Sequence, residues 1–323
     1  MNRRERVLAA ISGQRVDHVP SLFSLHFPKD QAVGEAAVEA HVRFYNETGV
    51  DVLKIMNEHL QPPIGPVRTP EDWLAVKSYH MDAPFLHAQA DIISNILDRV
   101  EKPVYSLATI HGVCASSIHP IEGAYGYARA REIMVETLRS RPDIMLDVHK
   151  RVTDTMCELA QACIRAGADG IYYAALGGER HYYTDEEHDR FIKPFDLQIM
   201  RAAHEAGGHV FLHICKENLN MMRYRDYAPY ADVVNWGVYE ANFSISQGRE
   251  LFPGRAILGG LKNHGGALAQ GDADAIAREV RGVLEEAGQT HFLLGADCTL
   301  PTNTPYASIA AAARAAVIKN NKE

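Results

Sequence analysis

The 323-residue chain has no surplus of positive charge: 33 Lys and Arg stand against 41 Asp and Glu, a formal net charge of -8. Without a basic excess there is little to neutralise a phosphate backbone, which excludes nucleic acid as an expected partner. Nor is there an apolar run approaching the ~20 residues that cross a bilayer. The opening MNRRERVLAAISGQR reads as a short charged amphipathic helix rather than a signal peptide, so the expectation is a cytoplasmic protein with no membrane partner. Cysteines are few and odd in number: Cys114, Cys157, Cys163, Cys215 and Cys298. In a reducing compartment that argues against a disulfide framework and for buried, reactive or metal-bound thiols. No GxGxxG follows the first strand-like run, and no tandem repeat, low-complexity tract or clear linker divides the chain, which disfavours a dinucleotide-binding open sheet and an array of repeats.

What is present has the composition of a globular protein, 46% hydrophobic and 23% charged. Eight β-rich runs recur: VPSLFSL (19–25), VDVLKIM (50–56), PVYSLATI (103–110), ADGIYYAA (168–175), HVFLHIC (209–215), ADVVNWG (231–237), AILGGL (256–261) and HFLLGADC (291–298). Between them lie helical patterns closing on glycine, such as GEAAVEAHVRFYNETG, DVHKRVTDTMCELAQACIRAG, EEHDRFIKPFDLQIMRAAHEAGG and DADAIAREVRGVLEEAG. Eight βα units ending in a last helix at TPYASIAAAARAAVI predict an α/β fold, a TIM (β/α)8 barrel forming a single domain over 1–323. The stretch 57–102, rich in Pro and His at its start and containing TPEDW, reads as an elaborated loop over the barrel mouth.

Catalytic groups of such a barrel sit at the C-terminal ends of its strands. Those positions hold His26, Asn57 and His59, His111, Glu179 and Arg180, His213 and Cys215, Asn235 and Glu240, Lys262, Asn263 and His264, and Asp297 and Cys298. Residues i and i+2 of a strand share a face, so His213 and Cys215 project together while Ile214 points away. Cys298, at the end of the eighth run, supplies a third ligand at the same mouth. One imidazole and two thiolates suit Zn²⁺, and three protein ligands with an exchangeable fourth position mark a catalytic site. A lone His-x-Cys in a strand is more often core packing, and Cys157 and Cys163, six apart on a helix, fit a core; the meeting of both elements at one rim favours ligands. Of the adjacent Tyr172 and Tyr173, one faces the barrel interior and the other the helices; the sequence leaves open which.

NRRERVLAAISGQRVDHVP, HVFLHICKEN, NWGVYEANFSISQGRELFPGRAILGGL and LLGADCTLPTNTP together resemble the uroporphyrinogen decarboxylase superfamily. Within it they are most similar to the zinc-dependent methyltransferase branch, which includes methylcobamide:coenzyme M methyltransferases and corrinoid-linked O-demethylases. ATIHGVCASS stands where such proteins carry a strand-three Gly-Pro loop. The resemblance implies zinc held by His213, Cys215 and Cys298, and transfer of a methyl group between a small methylated substrate or thiol and a corrinoid (cobalamin). No DxHxxG corrinoid motif is present, so the corrinoid is expected on a separate partner protein. The true decarboxylases carry an arginine-rich motif for propionates where this chain has FSLHFPKD, which leaves an acidic tetrapyrrole unpaired. Two departures bear on specificity: Lys216 replaces the common glycine after His-x-Cys, and GAD precedes Cys298. Lys216 either pairs with a substrate carboxylate or points into solvent. Glu240 is the candidate fourth zinc ligand, although a loop carboxylate more often lies in solvent. His26, Asn57, His111, Asn235 and His264 are candidate substrate-binding residues. The competing readings are a metal-free decarboxylase or lyase acting on a small carboxylated substrate, and a noncatalytic binding barrel.

Overall fold

The computed structural model describes residues 1–317. Branched and aromatic residues concentrate in the eight runs, and each run yields a parallel strand: β1 (Ser21–Leu22), β2 (Val52–Ile55), β3 (Tyr105–His111), β4 (Gly170–Ala175), β5 (His209–Ile214), β6 (Val233–Trp236), β7 (Ala256–Leu261) and β8 (Phe292–Ala296). Their order is β1-β8-β7-β6-β5-β4-β3-β2. The remaining seam is narrow, since the Asp51 N–H donates to the Ser21 carbonyl at 3.0 Å, and the sheet is a nearly closed TIM barrel. β1 is shorter than the run 19–25, because the chain leaves the ladder after Leu22 and touches the neighbouring strand's extension again only at Leu25 and Leu300.

Helices form where the glycine-closed patterns lie, including Gly34–Thr48, Pro142–Arg165 and Ala273–Ala287, and the expected last helix forms at Tyr306–Ala315. Gly49, with φ 69°, ends the first of these in the left-handed conformation that only glycine adopts cheaply. Two expectations need correcting. The pattern at 186–208 is two helices, Asp185–Phe191 and Lys193–Glu205, because Pro194 has no N–H to continue a helix but fits the first turn of a new one. The stretch 57–102 is not one loop: Pro84–Arg99 is a helix whose Leu86, Ile93, Ile96 and Leu97 form a buried stripe at helical spacing. Only the start of the remaining loop lies at the mouth. Further on it runs down the barrel's flank, where the Tyr79 N–H donates to Thr155 Oγ1 at 2.8 Å and the Met81 N–H to Glu158 at 3.1 Å. Ile318, the last residue of the final expected helix, and the rest of 318–323 lie outside the described residues. No helix among the described residues is long and apolar enough to cross a membrane.

Strand periodicity separates two cores. Leu22, Val52, Tyr105, Leu107, Tyr172, Phe211, Val233, Leu258 and Leu293 fill the barrel's lower interior, plugged below by Val7 and Ala10 of the helix Arg3–Ile11. The intervening residues, among them Ile110, Ile171, Tyr173, Leu212, Ile214 and Val234, pack outward against the helices. Tyr172 is therefore the inward tyrosine and Tyr173 the outward one. This filled lower layer leaves open space only toward the strands' C-terminal ends.

The Tyr173 hydroxyl donates to Asp196, a fully buried carboxylate that also accepts from the Tyr227 hydroxyl at 3.0 Å and the Val113 N–H at 3.2 Å. Burial outweighs these bonds and raises its pKa to about 6. A carboxyl whose folded-state pKa exceeds its unfolded value binds its proton more tightly when folded. Its contribution to stability is then complete at low pH and is lost as pH rises from ~4 toward 6. At ~1.4 kcal/mol per pKa unit, and with the unfolded carboxyl already partly ionised at pH 4, the wild type is expected to lose about 2 kcal/mol relative to Asp196→Asn between pH 4 and pH 7. Urea unfolding of both proteins at the two pH values checks this, and parallel pH dependences would count against it.

Candidate metal and substrate site

β5 carries His213 to the top of the interior directly above Phe211, and β6 places Asn235 beside it in register. Asn235 is buried and its NH₂ donates to the carbonyls of Leu258 (2.8 Å) and Ala296 (3.2 Å). Those two bonds orient the amide, so its oxygen accepts from the Tyr172 hydroxyl at 2.9 Å and from His213 Nδ1 at 2.5 Å. With Nδ1 donating, the lone pair of the neutral imidazole is on Nε2. The Tyr172 ring stacks on His213 at 5.4 Å between centroids, which fixes the plane of the imidazole.

Nε2 of His213 lies 3.3 Å from Cys298 Sγ, and Cys298 Sγ lies 3.9 Å from Cys215 Sγ. The three ligand atoms are within 4.8 Å of one another. Tetrahedral zinc, with Zn–S of ~2.3 Å and Zn–N of ~2.0 Å, requires ~3.8 Å between sulfurs and ~3.5 Å between nitrogen and sulfur. The two distances through Cys298 match these values to within about 0.2 Å, and the third pair, His213 Nε2 and Cys215 Sγ, lies within 4.8 Å, so the residues present fit the metal. Their mutual hydrogen bond pushes the Cys215 thiol well above the ordinary cysteine range, aided by burial, and holds Cys298 well below it, aided by His213. By contrast, the thiols of Cys114, Cys157 and Cys163 are raised by burial and none belongs to a metal-capable group among the described residues.

A cavity of about 330 Å³ opens beside the three ligands. His26, His111 and Lys216 line it. His26 Nδ1 meets Glu58 Oε1 at 2.6 Å at the outer edge. The rings of His111 and His119 meet edge to face at 4.9 Å, and burial lowers their pKa values to about 3 and about 4, so both are neutral at pH 7. Lys216 has φ 85°, the left-handed region that favours glycine and costs a side chain of order 1–3 kcal/mol. That is the position where the resembling pattern has glycine. Its ammonium lies 4.6 Å from the Tyr127 ring centroid.

Four other candidates are not on the cavity wall. Asn57 accepts the His59 N–H at 3.0 Å and shapes the turn after β2. Asn235 lies beneath His213 and acts on it rather than on a ligand. His264 is exposed at the rim. Glu240 is exposed as well, because the chain reverses after β6, where the Tyr239 N–H donates to Asp297 at 3.2 Å, and the carboxylate folds back beside Gly237. It is absent from the converging ligand group. Of the other strand-end residues, Glu179 is buried and paired with Arg131 at 2.6 Å, and the Lys262 ammonium lies over the Tyr239 ring.

Several cavity residues escaped the sequence reading: Lys54, Glu58, Thr109, His119, Glu122 and Tyr127. Lys54 is the informative one. It follows Val52 at strand spacing, so it points inward, and it is the single charge in VLKI, a strand buried along its whole length. A charge in a strand with no exposed face is a legible signal. His119 and Glu122, with Ala115, come from one face of the helix Val113–Tyr125 at i, i+4 and i+7.

The family model for uroporphyrinogen decarboxylase (URO-D) matches residues 47–317, most of the chain. Among solved structures, a methyltransferase from Methanosarcina mazei is 17% identical, with 98% of each chain covered and a TM-score of 0.75. A B12-independent methionine synthase from Shewanella sp. is 12% identical, with 92% of this chain and 97% of that chain covered and a TM-score of 0.56. At these identities the likeness is one of fold. No curated protein matches the chain.

Proposed function

Because the chain belongs to the uroporphyrinogen decarboxylase family, we propose that its barrel mouth is a zinc-dependent methyltransferase site that works in the cytoplasm. The reaction moves a methyl group between a small methylated substrate or thiol and a corrinoid carried on a separate protein. One observation carries this reading: His213 Nε2, Cys215 Sγ and Cys298 Sγ converge within 4.8 Å, with the imidazole's tautomer set by Asn235. Bound there, zinc supplies a Lewis acid that makes a thiol acidic or polarises a methylated oxygen.

The chain's own residues do the rest. Asn235 and Tyr172 hold His213 so that its free lone pair faces the two sulfurs. Met56, Leu176 and Tyr127 give the cavity apolar walls that exclude water from a bound carbon skeleton. His111 and His119, neutral at pH 7, offer hydrogen bonds without adding charge next to the thiolates. Lys54 and Lys216 supply the positive charges of the wall.

Metal analysis of the purified protein, with a methyl-transfer assay between cobalamin and panels of thiols and methyl ethers, tests the proposal. About one zinc per chain and transfer that disappears with the metal are the expected results. A protein isolated without zinc, binding none when it is offered and decarboxylating small acids all the same, would replace this reading with the lyase one.

A further inference from the structure

Lys54 is buried, lines the cavity and forms no ion pair among the described residues. Its ammonium has three N–H donors. One makes a 3.2 Å bond to Ser24 Oγ, and the group lies 4.1 Å from the centroid of the Tyr172 ring, leaving donors with no protein acceptor. An isolated buried charge is costly to keep, and a fold retains one where a ligand answers it.

We propose that Lys54 binds a carboxylate on the substrate, so that the cavity takes a small organic monoanion in preference to its neutral counterpart. The inference deepens the methyltransferase reading and rests on this cavity being that reaction's substrate pocket. The neighbouring acids do not pair with Lys54, and Glu58 acts on it only at a distance. Glu58 is held by His26 at 2.6 Å, and Glu122 faces the charge of Lys216. Nor do the sulfurs, once metal is present: two thiolates and Zn²⁺ sum to zero, and the Lys54 charge is left over. Lys216 differs, since its ammonium is against Tyr127 and near Glu122. No arginine lines the cavity, so the bidentate fork suited to phosphate is missing. Glu58 and Glu122 on the wall would repel a dianion. At about 330 Å³ the cavity is at the small end of ligand pockets, a size that suits a compact acid.

Calorimetric titration with benzoate and benzamide, a pair matched in shape and different in charge, tests this on the protein as isolated with its metal. Wild type is expected to bind benzoate at least ~10-fold more tightly, a charge-assisted contact's worth. The preference should fall to near unity in Lys54→Met and persist in Lys216→Met. Lys54→Met keeps most of the side chain's length while removing a buried charge, and Lys54→Gln takes its place if the first variant fails to fold. Equal affinities, no benzoate binding at millimolar concentration, a preference surviving at position 54, or one lost at position 216 instead overturns the proposal. Zinc is measured in the same samples. Zinc retained without a charge preference refutes the Lys54 assignment alone, whereas a charge preference in a protein unable to bind zinc refutes the metal reading alone.

Discussion

Cys298→Ser is expected to lose ~100- to 1000-fold in zinc affinity and, with the metal, its methyl transfer. A serine hydroxyl does not ionise near neutral pH, so His213 and Cys215 would remain as two ligands where the geometry has three. Full zinc sites in peptides supply ~10–16 kcal/mol. Spread over three or four ligands this is ~3–4 kcal/mol each, and ~1.4 kcal/mol is tenfold. Asn235→Ala provides the graded comparison. It keeps every ligand but removes the acceptor that fixes the His213 tautomer, and loss of such an outer partner costs ~10- to 100-fold. Competition with a chromophoric chelator ranks the three proteins. Wild-type zinc affinity in Cys298→Ser would place the metal centre elsewhere.

Arg6→Met is expected to destabilise the fold by about 3–5 kcal/mol, the cost of leaving a buried carboxylate without its cation. Arg6 is buried, and its guanidinium donates to Asp51 Oδ1 at 2.6 Å, to Asp17 at 2.7 and 2.9 Å, and to the Met1 carbonyl at 3.0 Å. Burial alone would raise the Asp51 carboxyl. Hydrogen bonds from His18 and the Ser21 N–H, together with the charge of Arg6, bring it below the ordinary range instead. This cluster joins the N-terminal helix to the entrances of β1 and β2, the two strands that close the barrel. Urea unfolding measures the loss. Adding Asp51→Asn should recover part of it, because the orphaned charge is then gone; a loss under ~1 kcal/mol in the single variant would mean that the seam does not depend on the pair.

The barrel and the meeting of His213, Cys215 and Cys298 at its mouth were both legible in the sequence for a local reason. A strand alternates faces every residue, so His213 and Cys215 had to point the same way whatever the rest of the chain did. Eight β-rich runs separated by amphipathic helices closing on glycine leave few arrangements other than a closed parallel barrel. Where reading failed, the determinant was long-range. Helical periodicity in 84–99 was masked by the Pro-rich residues before it, and chain order does not show that the turn after β6 leaves Glu240 exposed and outside the converging group.

Periodicity states that two faces alternate but not which of them is inside. That phase is decided when the strands close and the bulky layer of Tyr105, Tyr172, Phe211 and Leu258 packs above the N-terminal helix. Tertiary structure alone therefore put Tyr172 under His213, sent Tyr173 to Asp196, turned Asn235 from a substrate contact into the residue that orients the imidazole, and placed Lys54 beside the thiols. The sequence by itself determined which side chains share a strand face at the mouth, because that follows from backbone geometry. What each of them touches was decided by the closing of the sheet, because contacts across a barrel join residues far apart in the chain.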